Sequence, residues 1–99
     1  MTQATLQQRT NTFDFNNPFV RGVIGNLLSQ PEGVSFGEIQ GWSSYQKNPD
    51  LFEATLLELT QRGALDKTLN GGNFYLKPLG VLGYLAGRHN IPFENPSYI

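Results

Sequence analysis

The chain has no cysteine, and that absence removes disulfides, thiolate nucleophiles and cysteine-based zinc sites together. It has one histidine, His89, so no second imidazole exists to complete a metal site or a proton relay. Charge is scarce as well. Asp, Glu, Lys and Arg make up 15% of the 99 residues, against about 25% in an ordinary soluble domain. Seven basic residues nearly balance eight acidic ones, and a net charge of −1 sets up no general field that draws a nucleic acid or an anionic membrane. No apolar run approaches the roughly 18 residues of a membrane span, and the polar residues 1–17 lack the apolar centre of a signal peptide. The expectation is a cytoplasmic protein with no membrane partner.

What remains suffices for one domain. The hydrophobic fraction of 38% includes seven Phe, enough bulk for a core without covalent staples. Residues 1–16, rich in Gln, Thr and Asn, are expected as a flexible polar arm, with Phe13 and Phe15 placed to dock onto the domain. Residues 17–90 form the domain, and residues 91–99, holding Pro92 and Pro96, an extended tail. Asn17-Pro18 is a helix-start signal. Behind it Phe19, Val20, Val23, Ile24, Leu27 and Leu28 recur at helical spacing, which predicts a helix over 18–29. Gly22 and Gly25 each cost that helix up to about 1 kcal/mol relative to Ala, so a close-packed backbone is expected beside them.

Val34 reads as a short strand, and Ser35-Phe36-Gly37-Glu38 after it matches a capping box with Val34 and Ile39 as its hydrophobic staple. A short helix over 36–43 follows, closed by Gly41 and the polar stretch 43–47. Asn48-Pro49 repeats the start signal for a helix over 50–62, with Phe52, Thr55, Leu56 and Leu59 facing inward and Arg62-Gly63 at its end. The period then changes. Residues 64–69 and 74–77 read as two strands around the turn Asn70-Gly71-Gly72-Asn73. Pro78 closes the second strand, and Leu79, Leu82, Leu85 and Ala86 mark a last short helix. The expected core gathers Ile24, Leu28, Ile39, Trp42, Leu56 and Leu59.

This order, and the segment Leu56-Leu57-Glu58-Leu59-Thr60-Gln61-Arg62-Gly63-Ala64-Leu65 leading into Asp66-Lys67, resembles the winged helix-turn-helix superfamily over residues 18–88. The resemblance implies an α+β, mainly α fold: a three-helix core, a C-terminal β-hairpin wing and a short final helix. It also implies DNA binding through the third helix and the wing.

Catalysis finds no convergent groups. Glu38, Asp50 and Glu53 have local roles at helix starts, and Gly71-Gly72 lacks the Gly-Lys-Ser/Thr that a phosphate loop needs. No enzyme activity, metal or cofactor is expected. For a DNA-binding transcription regulator the candidate contacts are Ser44, Lys47, Asn48, Arg62, Lys67, Asn70, Asn73 and Lys77, with Arg9 and Arg21 as further phosphate partners. Against it, the assigned phase turns Asp50, Leu51, Glu53, Ala54, Leu57 and Glu58 outward on the third helix, an acidic and apolar face. That face supports the alternative, a protein-interaction module or homodimer using Leu51 and Leu57. Gly80, Gly83, Tyr84 and Gly87 of the last helix are its second candidate surface, and Phe93, Tyr98 and Ile99 are tail residues available for exchange with a partner.

Overall fold

In the computed structural model, Asn17 starts the first helix in the way its side chain allows. Its backbone is extended (φ −74°, ψ 121°), its amide oxygen accepts the Phe19 N–H at 2.8 Å, and Pro18 follows. The structure describes residues 13–91. Residues 1–12 of the arm and 92–99 of the tail, and with them Arg9, Phe93, Tyr98 and Ile99, lie outside the described residues.

Helix α1 (Pro18–Leu28) leads to strand β1 (Val34–Ser35) through Gly33, whose φ of 98° favours glycine. A Cβ there would sit 3.3 Å from the Leu76 carbonyl oxygen and 3.4 Å from the Lys77 Cβ, so a side chain would also crowd the strand behind it. Ser35 then caps α2 (Phe36–Gln40), its hydroxyl accepting the Glu38 N–H at 3.2 Å. This helix ends three residues earlier than expected, because Trp42 turns extended (φ −72°, ψ 141°). The stretch expected as its polar ending is a helix of its own, α3 (Ser43–Lys47). No side chain caps α3. Trp42 and Tyr45 hold it by laying their rings edge-on to Phe52, at 6.2 Å and 5.4 Å.

Helix α4 (Pro49–Gln61) is the helix expected over 50–62. The Asn48 side chain caps it by accepting the Leu51 N–H at 3.2 Å. Strands β2 (Leu65–Asn70) and β3 (Asn73–Pro78) follow, joined by Gly71 (φ 61°) and Gly72 (φ 83°). Two left-handed residues between paired Asn70 and Asn73 make the tight hairpin turn the sequence signals. Helix α5 (Gly80–Arg88) completes the described chain. The sheet is antiparallel in the order β1-β3-β2, and the fold is α+β, mainly helical.

The core lies where α1, α4, the inner hairpin face and α5 meet, around fully buried Val20, Ile24, Leu27, Ile39, Phe52, Leu59 and Leu82. Of the expected cluster, Ile24, Leu28, Ile39, Leu56 and Leu59 are buried, whereas Trp42 is only half-buried at the edge. The assigned phase of α4 needs one correction. Leu51, expected outward, is 1% exposed. It stands one turn before Thr55 and two before Leu59, and because both α1 and α3 pack on α4 the buried stripe is wide enough to take it in. Thr55 is buried without penalty, since its hydroxyl donates to the Leu51 carbonyl at 2.8 Å. Gly22 also departs from expectation: it is exposed, and nothing lies within 4 Å of where its Cβ would be.

Arg21 ties the two ends of the described chain together. Its Nη1 donates to the carbonyls of Phe15 (3.3 Å) and His89 (2.8 Å), and its Nη2 to that of Asn90 (2.7 Å). A cation thus meets the carbonyl end of α5. The Phe15 ring stacks on His89 at 4.1 Å, Phe13 meets Phe15 edge-on at 4.9 Å, and the Arg62 guanidinium lies 5.3 Å and 5.4 Å from the two phenylalanine ring centroids. Both phenylalanines therefore dock on the domain, as their alternation with polar residues suggests.

Candidate interaction surface

The hairpin is a ribbon with two unlike faces. Antiparallel pairing sets Leu65 opposite Pro78, Lys67 opposite Leu76 and Leu69 opposite Phe74. Because side chains alternate along a strand, these six share one face, while Asp66, Thr68, Asn70, Asn73, Tyr75 and Lys77 share the other. On the first face Leu65 and Leu76 are buried against the body, but Leu69 (64% exposed) and Phe74 (43% exposed) extend past it. The apolar face is longer than the core it covers.

A groove runs beneath that overhang. It is lined by Phe36 of α2, by Glu53, Ala54, Leu56, Leu57 and Thr60 of α4, and by Lys67, Phe74 and Leu76 of the hairpin, and it holds about 460 Å³. Leu57, 59% exposed, stands on its α4 wall. The Lys67 ammonium lies over the Phe74 ring, 4.5 Å from the centroid. At the opposite rim the Tyr45 hydroxyl donates to the Glu53 carboxylate at 2.5 Å. That bond is the main cause of the raised pKa of Tyr45, and desolvation adds to it.

The candidate nucleic-acid contacts do not converge. Lys67 and Lys77 are exposed on opposite faces of the ribbon, and Lys47 is exposed at the end of α3. Asn70 and Asn73 flank the turn in the open. Ser44 accepts a hydrogen bond from the Asn26 side chain at 3.2 Å, and Asn48 caps α4. Arg62 is engaged with Glu58 at 2.9 Å and with the two phenylalanine rings, and Arg21 is bound to three carbonyls.

Of the candidate protein contacts, Leu51 belongs to the core and Leu57 to the groove. Gly80, Gly83 and Gly87 have nothing within 4 Å of their would-be Cβ atoms, and Tyr84 beside them is 63% exposed. Phe36, Phe74 and Leu69 were missed as surface residues by the sequence reading. The alternation of Leu65 and Leu69 with Phe74 and Leu76, interrupted only by Lys67, was the available signal, since it puts apolar side chains on one ribbon face along the length of the hairpin. Among the described residues no helix is long and apolar enough to cross a membrane. No family model, curated protein or solved structure matches the chain.

Proposed function

We propose that this chain is a protein-interaction module of winged-helix type, with α1, α2 and α4 as the three-helix core and the hairpin as the wing. Its docking surface is the groove between α4 and the hairpin, and its occupant is a cluster of apolar side chains from a partner protein. The observation that carries this reading is the groove itself. Where a DNA reader turns Arg, Lys and Asn toward phosphates and base edges, this chain turns Leu57 and Phe74 over an apolar cavity and sets Glu53 at the rim. A carboxylate repels phosphate, whereas a cavity of about 460 Å³ lies within the range that seats compact apolar groups. No catalytic step or cofactor enters the proposal.

A DNA-binding regulator is the competing reading, with Lys47, Lys67, Lys77, Asn70 and Asn73 as its exposed contacts. The opposite orientation of Lys67 and Lys77 weighs against one continuous phosphate track. Two titrations separate the readings. Nile red, a neutral apolar probe, is expected to bind the wild type and to lose its site in Leu57→Asp. A labelled mixed-sequence duplex is expected to bind no tighter than about 10⁻⁴ M at physiological salt. Tight, salt-dependent duplex binding that Lys67→Ala and Lys77→Ala each weaken would overturn the proposal in favour of DNA.

A further inference from the structure

We infer that the partner segment carries a lysine or arginine about one helical turn from its apolar anchor, and that Glu53 receives this cation at the groove rim. The inference rests on the docking reading above and adds the partner's chemistry to it. Helix α4 bears Asp50, Glu53 and Glu58 and no cation of its own. Among the described residues the only ion pair is Glu58 with Arg62, so neither Asp50 nor Glu53 has its charge matched there. Glu53 differs from Asp50 in being held. The Tyr45 hydroxyl donates to it at 2.5 Å, and the Tyr45 ring is itself wedged edge-on against Phe36 (5.7 Å) and Phe52 (5.4 Å). The carboxylate is thus fixed through one phenol to the core, which lowers the ordering cost of receiving a partner. A carboxylate accepts several hydrogen bonds, and the phenol uses one.

The groove's opposite wall has the opposite sign. Lys67 lines it from the hairpin, so a partner cation is drawn to α4 and repelled from the hairpin, which gives a bound segment one direction. Glu53 and Leu57 are neighbours on successive turns of one helix face, and this sets the spacing between the partner's cation and its apolar anchor. Tyr45 is a positioning residue in this arrangement. The bond it donates to Glu53 also raises the pKa of its phenol.

A random-peptide library displayed on phage, panned on the full chain and counter-selected on Leu57→Asp, tests this. The expected peptides combine a large apolar residue with Lys or Arg about one turn away. Their affinity, measured by fluorescence anisotropy, should fall about tenfold in Glu53→Gln at low salt and less at high salt. Tyr45→Phe should weaken binding about threefold while a single cooperative melting transition reports an intact fold. Leu57-dependent peptides without basic enrichment, or with unchanged affinity for Glu53→Gln, would overturn the inference and leave the docking reading standing. A library yielding no Leu57-dependent peptide would overturn both.

Discussion

Leu51 and Leu57 stand on the same helix and have the same side chain, yet one is 1% exposed and the other 59%. Around Leu51, α1 and α3 close over α4, and the leucine joins Phe52, Thr55, Leu56 and Leu59 in the core. Around Leu57 the overhanging hairpin and Phe36 of α2 stand off from α4, and the space between them stays open as the groove. The inner flank of α4 has its partners within the chain; on the outer flank Leu57 stays largely uncovered among the described residues. Stability therefore resides on one side of this helix and the proposed docking surface lies on the other, and the two should separate under mutation.

The largest expected effect tests that separation directly. Leu51→Ala should cost about 2–5 kcal/mol by leaving a cavity, while Leu57→Ala should change stability by no more than about 0.5 kcal/mol. Denaturant midpoints of the two variants check this, and equal losses would break the comparison. Asn48→Ala should cost about 0.5–2 kcal/mol by removing the cap that accepts the Leu51 N–H. Its effect should appear in thermal unfolding and leave Nile red binding intact below the transition.

A smaller effect, of opposite sign, is expected on α5. Gly83 has no neighbour within 4 Å of its Cβ position, so Gly83→Ala should stabilise the chain by about 0.5–1 kcal/mol. A loss instead would show that the face around Gly83 is covered in solution. The smallest effect concerns alkaline pH. Tyr45 has a raised pKa in the folded chain because it donates to Glu53. Its contribution is fully present below its unfolded pKa and is lost as pH rises through the folded value. Melting temperatures measured across that range should fall less steeply for Tyr45→Phe than for the wild type.

The parts of this fold that were legible in the sequence are those with local causes. Asn17-Pro18, Asn48-Pro49 and Ser35 each start a helix through a bond to a residue two or three positions on. The Asn-Gly-Gly-Asn turn dictates its own hairpin, and from there the strand register follows. Helix α3 was not legible because it has no cap and is held by contacts with Phe52 on another helix. Missing α3 also turned Leu51 outward, since a helix covered by one neighbour buries a narrower stripe than a helix covered by two. Half of the candidate site was visible: Glu53 and Leu57 were placed outward on α4, as they are. Phe74 was not assigned there, because its exposure depends on how far the hairpin outreaches the body. The link from Tyr45 to Glu53 joins two helices and leaves no periodic trace.

The Arg21 guanidinium has a topological consequence. By binding the carbonyls of Phe15, His89 and Asn90 at once, it brings residue 15 within a few bond lengths of residue 90, so the described chain is almost a closed ring. A ring has no privileged opening. A permuted protein in which residue 15 is joined to residue 90 by a short linker, and the chain is cut at another exposed bend, should keep the same core, because almost no distance separates those two points.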